Sequence, residues 1–285
     1  RGKLIRPFKS DVINIKDYKE KYFEQFSIVG RHRDDNIWQK SASGGAFTAI
    51  CEAYCNDGDA IFGAKFDGVQ VVHDYVRKIE DINVFRKSKY VQSYMGNTYH
   101  QLKELLENNH RVIFSGTPCQ VAGIKNYLGK DYNNLLCIDL VCHGVGSPGI
   151  FKKYLEYLEE KYESKVRAFK FRHKKVKIGR LLEYIIEIEL ENGKKIEHEN
   201  DLYNMAFIQA LILRPSCGEC KFANINRVGD LTIADFKKKH ELLPEAKGLD
   251  NFSTIIINSG KGQKVFEQLQ KYMEIYFVNI NDIVK

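Results

Sequence analysis

Four cysteines are the residues of this chain best suited to chemistry, because thiolates are strong ligands for iron and zinc. Cys217 and Cys220 form a C-x-x-C in the run RPSCGECKF, and the tight turn between them can present both sulfurs on one side. Cys119 lies in SGTPCQVAG and Cys142 in DLVCHGVGSP, each at the end of a predicted strand. Four such sulfurs can hold an iron–sulfur cluster or a zinc ion. An iron–sulfur cluster would indicate a redox enzyme, and a zinc ion would indicate a binding module stabilised by metal.

The other three cysteines are interpreted as packing residues. Cys51 and Cys55 are four positions apart in the helical pattern AFTAICEAYC, a spacing that also leaves metal binding open. Cys137 lies in the apolar run LLCIDLVC and is expected to face a core. An odd total of seven cysteines and an N-terminal stretch without an apolar signal region argue against a disulfide framework. We therefore expect a cytoplasmic protein.

Composition narrows the class of protein. The 285 residues are 44% hydrophobic and 28% charged, which is typical of a globular chain with a large core and two subdomains. No run of eighteen apolar residues is present, so no membrane span is predicted. The net charge of +7 is concentrated in Phe169 to Lys177 and in Lys237 to Lys239. This charge forms either a solvated face or a surface for anions, and without a nucleic-acid motif we expect no nucleic-acid partner.

Alternating signals along the chain predict an α/β fold. Residues 1–40 look polar and irregular, and we interpret them as a lead-in segment. HRVIFSG followed by PCQVAGIKNYL, and NLLCIDLVC followed by PGIFKKYLEYLEEKY, are two strand–turn–helix units that favour parallel strands. Hairpins are predicted at Asp67-Gly68 and Asn192-Gly193. The expected fold is a mixed sheet with strand–turn–helix units, spanning residues 41–165, plus a smaller hairpin-containing subdomain over residues 166–285 that carries the C-x-x-C.

Two of the cysteines fall where α/β sheets bind ligands. Cys119 and Cys142 both follow the carboxyl end of a strand, and consecutive parallel strands are often neighbours. We favour a shared centre; the alternative is that Cys119 is a lone reactive thiol and Cys142 a core residue. The run Ser43-Gly44-Gly45 before a helix is a candidate cradle for a phosphate, since glycines let backbone N–H groups approach an anion.

A set of motifs in one order resembles a known family. The motifs are SxSGGxxT (Ser41 to Thr48), SKYVQS (Ser88 to Ser93), FSGTPCQVAG (Phe114 to Gly123), CHGVGSP (Cys142 to Pro148) and RPSCGECKF (Arg214 to Phe222), followed by DLTIADF. Together they resemble the beta-subunit family of coenzyme F-420-reducing hydrogenase. That family includes the beta subunit of formate dehydrogenase and 7-hydroxymethyl chlorophyll a reductase. The resemblance runs from about residue 40 to residue 275.

The resemblance implies an iron–sulfur flavoprotein that carries FAD and a 4Fe-4S cluster. By position, it makes Cys119, Cys142, Cys217 and Cys220 the cluster ligands. The flavin-site residues that it implies are Ser43, Gly44, Gly45, Thr48, Lys89, Tyr90 and Ser93, with Gly116, Thr117 and Gln120 near both cofactors. His143 is the candidate proton donor in catalysis, and its alternative role is a hydrogen bond that steadies its turn.

The expected function is therefore an oxidoreductase that passes electrons between a ferredoxin-like partner, or a deazaflavin coenzyme, and a small organic substrate. The resemblance extends to reading frames among bacterial surface-polysaccharide genes, which makes a sugar-linked substrate one candidate. Two departures stand out. No cysteine precedes Cys51, where many members carry ferredoxin-like motifs, and Asp235-Phe236-Lys237-Lys238 replaces the frequent DFWG. The alternatives are a non-enzymatic protein with a structural four-cysteine zinc site and a degenerate scaffold subunit without FAD.

Overall fold

The computed structural model describes residues 25–177, 180–236 and 251–283, with the backbone alone described for 174–177 and 180–184. The strands are β1 (Phe26–His32), β2 (Ala60–Asp67), β3 (Gln70–Val76), β4 (Val112–Ser115), β5 (Leu135–Leu140), β6 (Val166–Lys177), β7 (Arg180–Leu190), β8 (Lys195–His198), β9 (Leu231–Asp235), β10 (Ser253–Ile257) and β11 (Met273–Val278). The helices are α1 (Asp35–Lys40), α2 (Ala46–Tyr54), α3 (Thr98–Glu107), α4 (Pro118–Leu128), α5 (Pro148–Tyr162), α6 (Leu202–Ile208), α7 (Pro215–Gly218), α8 (Gly260–Leu269) and α9 (Ile280–Ile283), with a 3₁₀ helix at Ile79–Phe85.

The described strands form two sheets. The larger sheet has eight strands in the order β11-β1-β10-β9-β5-β4-β2-β3, and the smaller has three in the order β6-β7-β8. Neighbouring strands among β2, β4, β5 and β9 are parallel, whereas the other pairings are antiparallel. The predicted α/β class, with a mixed sheet and a smaller hairpin-containing part, is confirmed.

Prolines start two of the helices at the predicted residues. α4 begins at Pro118 and α5 at Pro148, where a missing N–H costs nothing because no carbonyl precedes it in the helix. Each helix follows a strand of the parallel pair β4 and β5, in which Phe114 lies opposite Cys137. The prediction of two strand–turn–helix units with parallel strands is therefore confirmed. So are the two hairpins, since β2 pairs with β3 and β7 with β8 in antiparallel register.

Helices cover both faces of the large sheet. On one face, α2 and α8 bury Ile50, Phe266 and Leu269 against β10 and its neighbours. On the other face, Leu102 of α3 and Ile124 of α4 pack against β4 and β2. A third core joins α5, β6, β7 and α6 to the far end of the β2–β3 hairpin. The interpretation of Cys51, Cys55 and Cys137 as packing residues is confirmed, because all three are buried.

Two stretches differ from the sequence prediction. The lead-in segment was predicted to be irregular as far as residue 40, and this is wrong from residue 26 onward. β1 lies inside the large sheet between β10 and β11, and α1 follows it. The basic run Phe169 to Lys177 belongs to β6, and its Phe169, Phe171 and Arg172 are buried. Alternation explains buried Phe169 and Phe171 on either side of exposed Lys170, and the adjacent buried Arg172 falls at a register shift between Lys170 and His173.

The division of the chain at residue 165 stays a prediction. Strands from both sides of that position share the large sheet, since β9, β10 and β11 pair with β5 and β1. Any division into subdomains would have to cut this sheet. Among the described helices, none combines the length and apolar character needed to cross a membrane.

Candidate functional site

The cysteine site begins at the carboxyl edge of the parallel strands. β4 ends at Ser115 and β5 at Leu140, and because the two strands are parallel both ends lie at one edge of the sheet. Cys119 is the second residue of α4 and is exposed, whereas Cys142 lies two residues beyond β5 and is half-buried. This is the edge at which open α/β sheets bind ligands.

Backbone hydrogen bonds bring the C-x-x-C toward the loop that carries Cys142. The N–H of Arg214 donates to the carbonyl of Val145 at 3.0 Å, and Gly146 and Leu213 form an isolated antiparallel bridge. The N–H of Cys217 then donates to the carbonyl of Arg214 at 2.9 Å, which closes the turn that starts the C-x-x-C. Two segments about seventy residues apart in sequence are thereby joined beside Cys142.

Cys142 lies close enough to the other three cysteines for their charges to affect its thiol. Burial raises the pKa of the Cys142 thiol to about 11; a hydrogen bond with the Gly144 backbone opposes the rise, and the charges of Cys119, Cys217 and Cys220 add to it. Four neighbouring thiolates repel one another unless a cation lies among them. The site therefore has the donor chemistry of a metal centre. Among the described residues, no three of these four sulfurs lie within 4.8 Å of one another.

Arg227 ties the segment after the C-x-x-C to β5. Its guanidinium donates to the carbonyl of Phe222 at 3.3 Å and to the carbonyl of Leu140 at 2.8 Å. It also pairs at 3.0 Å with the carboxylate of Asp139, which is fully buried. The sequence did not predict this ion pair. Its one indication was an aspartate near the end of a buried strand, which does not identify the partner.

A chain of polar side chains connects Cys119 to a buried histidine. The hydroxyl of Thr117 lies 3.1 Å from the sulfur of Cys119, and the Thr117 N–H donates to Gln120 Oε1 at 2.9 Å. Gln120 Nε2 donates to Ser93 Oγ at 2.8 Å, and Ser93 Oγ lies 2.7 Å from Nδ1 of His73. The structure thus brings together three of the expected cofactor residues. It adds His73, which sequence analysis did not single out.

Burial keeps the imidazole of His73 neutral. It lowers the pKa of His73 to about 4; a hydrogen bond with the carbonyl of Ser115 opposes this, and the charge of Lys89 adds to it. The Ser115 contact is 3.0 Å from Nε2, and the ring stacks on Phe114 with centroids 5.5 Å apart. Gly116 was also expected near both cofactors. Its N–H donates to the carbonyl of Ile138 at 3.1 Å and so extends the pairing of β4 with β5.

The glycine-rich run at the start of α2 is packed tightly into the sheet. The N–H of Gly44 donates to Ser253 Oγ at 2.8 Å, and Ser43 Oγ donates to the carbonyl of Phe252 at 2.6 Å. A Cβ on Gly44 would lie 2.3 Å from the carbonyl oxygen of Gly30, and Gly45 caps α2 with a φ of +86°. These contacts account for both glycines without a phosphate.

The other expected flavin residues also make contacts within the fold. Lys89 Nζ donates to the carbonyls of residues 84 to 87, and burial, followed by the charge of Lys87, lowers the pKa of Lys89 to about 7. Thr48 Oγ1 accepts from Arg86 Nε at 3.1 Å. Tyr90 stacks on Phe207 with ring centroids 4.3 Å apart. The segment 86–93 therefore runs from the start of α2 to the polar chain at Gln120.

His143 is held by a neighbouring helix. Its Nε2 lies 3.1 Å from the carbonyl of Phe207, and its ring meets the Phe207 ring edge-on at 5.3 Å. A carbonyl only accepts, so Nε2 carries the proton of this bond. The contact matches the turn-steadying alternative, and the catalytic role of His143 stays a prediction.

The fold and the site together define an α/β protein in which four cysteines from three segments lie at the carboxyl edge of the parallel strands. A family model that describes the C-terminal part of the beta subunit of coenzyme F420 hydrogenase/dehydrogenase matches residues 109–283, and the chain belongs to this family. The expected resemblance is thereby confirmed. The hydrogenases and dehydrogenases that the description names are redox enzymes, which supports an oxidoreductase role.

A solved structure shares the fold. It is a chain from a study titled "Xenon derivatization of the F420-reducing [NiFe] hydrogenase complex from Methanosarcina barkeri". The two chains are 17% identical, with a TM-score of 0.55, over 93% of this chain and 86% of that one. The comparison with curated proteins finds no match.

Proposed function

We propose that this protein is an iron–sulfur flavoprotein oxidoreductase with a 4Fe-4S cluster bound by Cys119, Cys142, Cys217 and Cys220. The observation that carries the proposal is the convergence of these four thiols, from three separate segments, at one edge of the sheet. A 4Fe-4S cluster takes four cysteine thiolates and exchanges single electrons. The chain's own residues would bind it, and the Arg214–Val145 and Arg227–Leu140 contacts would hold the binding segments in place.

The sulfurs are not spaced as four ligands of a single zinc ion would be. A zinc ion about 2.3 Å from each of four sulfurs would hold them about 3.8 Å apart. Of these four sulfurs, all of them in the described part of the chain, no three come within 4.8 Å of one another. A cubane separates its ligands more widely, because each cysteine binds a different iron at a separate corner. The four-cysteine zinc protein is therefore the less favoured alternative.

The proposed FAD would lie along the same edge of the sheet. β10 runs antiparallel to β9, so Ser253 and the adjoining Gly44 lie at the edge where the cysteines are. From β10 to β4 is three strand spacings of about 4.8 Å, roughly 15 Å. An extended FAD can span this distance, and it would exchange electron pairs with a small organic substrate and single electrons with the cluster.

The tight packing of Gly44 limits where the pyrophosphate can bind. Its N–H already has a partner and the space beside its Cα is filled, so phosphate binding would fall to other N–H groups of the α2 start. At the DFKK run, Asp235 pairs with buried Arg172 at 2.8 Å, whereas Lys237 and Lys238 lie outside the described residues. The proposal of FAD therefore rests on the motif resemblance and on this shared edge.

The proposed partner is a ferredoxin-like electron-transfer protein, and the proposed location is the cytoplasm. The substrate would be a small organic molecule, with a deazaflavin and a sugar-linked compound as the two candidates. The family's redox character supports the general role. Steady-state assays with each candidate would separate them.

Anaerobic purification tests the proposal directly. We expect a brown protein with about four iron and four sulfide per chain and little zinc. Cys217→Ser and Cys142→Ser should lose the iron, whereas Cys55→Ala, which changes a buried cysteine of the core, should retain it. A colourless protein with one zinc per chain would establish the zinc alternative instead.

Flavin content separates the enzyme from the scaffold alternative. Denaturing the purified protein and quantifying released FAD by chromatography should give a value near one per chain. Iron and sulfide without FAD, even after incubation with excess FAD, would identify a scaffold subunit that keeps the cluster.

A further inference from the structure

We propose that Thr117 is a positioning residue that donates a hydrogen bond to the sulfur of Cys119 in the cluster-bound protein. The side chains of Gln120, Ser93 and His73 fix the direction of that bond. The inference rests on the proposed function, because it concerns one ligand of the proposed cluster. The Thr117 hydroxyl would raise the reduction potential of that cluster.

The contact between Thr117 and Cys119 follows from the start of α4. Thr117 is the residue that caps the helix and Cys119 is its second residue, so the two side chains leave the same turn. The hydroxyl oxygen and the sulfur lie 3.1 Å apart, which is within hydrogen-bonding distance for a sulfur acceptor.

The direction of the polar chain is set at its buried end. The carbonyl of Ser115 can only accept, so Nε2 of His73 carries the proton and Nδ1 accepts from the hydroxyl of Ser93. Ser93 Oγ then accepts from the amide nitrogen of Gln120. This orientation turns Gln120 Oε1 toward Thr117, where it accepts the backbone N–H at 2.9 Å.

The Thr117 hydroxyl therefore has one proton and two candidate acceptors. Gln120 Oε1 lies 3.1 Å away and already accepts the Thr117 N–H, whereas a metal-bound sulfur of Cys119 carries no proton and can only accept. An amide oxygen has a second lone pair for the hydroxyl, but a negatively charged sulfur is the stronger acceptor, so the hydroxyl would donate to the sulfur once iron is bound. A neutral His73 keeps this arrangement over the physiological range, since burial lowers its pKa to about 4.

A hydrogen bond to a ligand sulfur raises the reduction potential of a cluster, because it stabilises the extra negative charge of the reduced state. Thr117→Val keeps the side-chain shape without the hydroxyl, and Thr117→Ser is the matched control that keeps the hydroxyl. An EPR-monitored redox titration of the full chain should give a lower potential for Thr117→Val than for the parent, with Thr117→Ser near the parent.

Two further measurements keep the test independent of helix capping. Ser93→Ala breaks the chain away from α4 and should shift the potential in the same direction by a smaller amount. In the parent, transfer to D₂O should shift the Fe–S(Cys) stretching bands in resonance Raman spectra, and this shift should shrink in Thr117→Val.

The outcomes separate this inference from the proposed function. Equal potentials and equal deuterium shifts in the parent and Thr117→Val would overturn the hydrogen bond while leaving the cluster in place. A parent protein without iron and sulfide after anaerobic preparation would overturn both proposals.

Discussion

Arg227 and Asp139 form an ion pair at 3.0 Å in which the carboxylate is fully buried and only 6% of the arginine side chain is exposed. Thr232 Oγ1 and the N–H of Gly229 also donate to the carboxylate, at 2.5 and 3.0 Å. The pair joins β5, which leads into Cys142, to the segment that follows Cys220. It therefore joins the sheet to the segment that carries the C-x-x-C of the proposed cluster.

Removal of the Asp139 carboxylate should destabilise the fold and loosen the centre. Asp139→Ala leaves the guanidinium of Arg227 buried without its charge partner, which costs about 3–5 kcal/mol. Chemical denaturation should show this loss, and iron retention after gel filtration should fall with it. Glu107→Ala, which removes the exposed pair of Glu107 with Lys103, is the control and should cost less than about 1 kcal/mol.

Gly44 should tolerate no side chain. In Gly44→Ala the new methyl would lie 2.3 Å from the carbonyl oxygen of Gly30 and 2.4 Å from the N atom of Ser253, so β1 or β10 must move. We expect a loss of about 3 kcal/mol in the free energy of unfolding, the upper end of the usual cost of overpacking. Gly260→Ala is the matched control, because nothing lies within 4 Å of its Cβ position. Equal thermal stability of the two variants would contradict the packing of Gly44.

His73 should make the fold sensitive to acid. Its pKa is lowered from 6.5 to about 4, so the unfolded chain binds a proton between these values that the folded chain does not. The contribution of neutral His73 to the free energy of unfolding is fully present above about pH 6.5 and is lost as the pH falls toward 4. At about 1.4 kcal/mol per pKa unit, this loss amounts to roughly 3 kcal/mol.

Denaturation of the parent and of His73→Asn at about pH 7 and about pH 4 tests this assignment. The parent should lose more stability than the variant on acidification, because the other acid-sensitive groups are common to both. The same loss in both proteins would show that His73 does not titrate as its burial indicates.

Local signals accounted for the elements that position Cys119 and Cys142. Proline at the first helical position and an apolar run before it gave α4 and α5 and their parallel strands, since those signals lie within about 25 residues of one another. The hairpin at Asp67-Gly68 followed from its turn residues in the same way.

Long-range pairings escaped sequence reasoning. β1 pairs with β10 and β11, more than 200 residues away, and nothing in its own seven residues distinguishes a sheet strand from a short apolar stretch. The same holds for His73 and Arg227, whose partners Ser115 and Asp139 are distant in sequence. A polar residue acquires such a role only when the fold supplies the buried surroundings and the partner.

Electron delivery to the proposed cluster should depend on ionic strength. Exposed Lys152 and Lys153 lie on α5, which follows the Cys142 loop, and exposed Arg214 and Lys221 flank the C-x-x-C. Glu219 is the one acidic residue in the stretches 148–153 and 211–225, and Lys152 pairs with Glu156 at 4.0 Å. Ferredoxins are generally acidic, and opposite charges accelerate association. Because exposed charges are screened beyond about 8 Å in physiological salt, reduction by a ferredoxin should slow as salt is added.

Charge reversal locates the docking face. The double variant Lys152→Glu/Lys153→Glu should slow reduction by ferredoxin and flatten its salt dependence, whereas Lys264→Glu, on α8, should leave both unchanged. The basic run Phe169 to Lys177 was the anion surface considered from the sequence. The side chains of its Lys174, Lys175 and Lys177 lie outside the described ones, so reversal of these three is the competing variant. If only that variant slows the reaction, the partner docks at β6. If neither set matters and reduction is independent of salt, electrons enter without charge steering, as expected for direct reduction of the flavin by a small soluble cofactor.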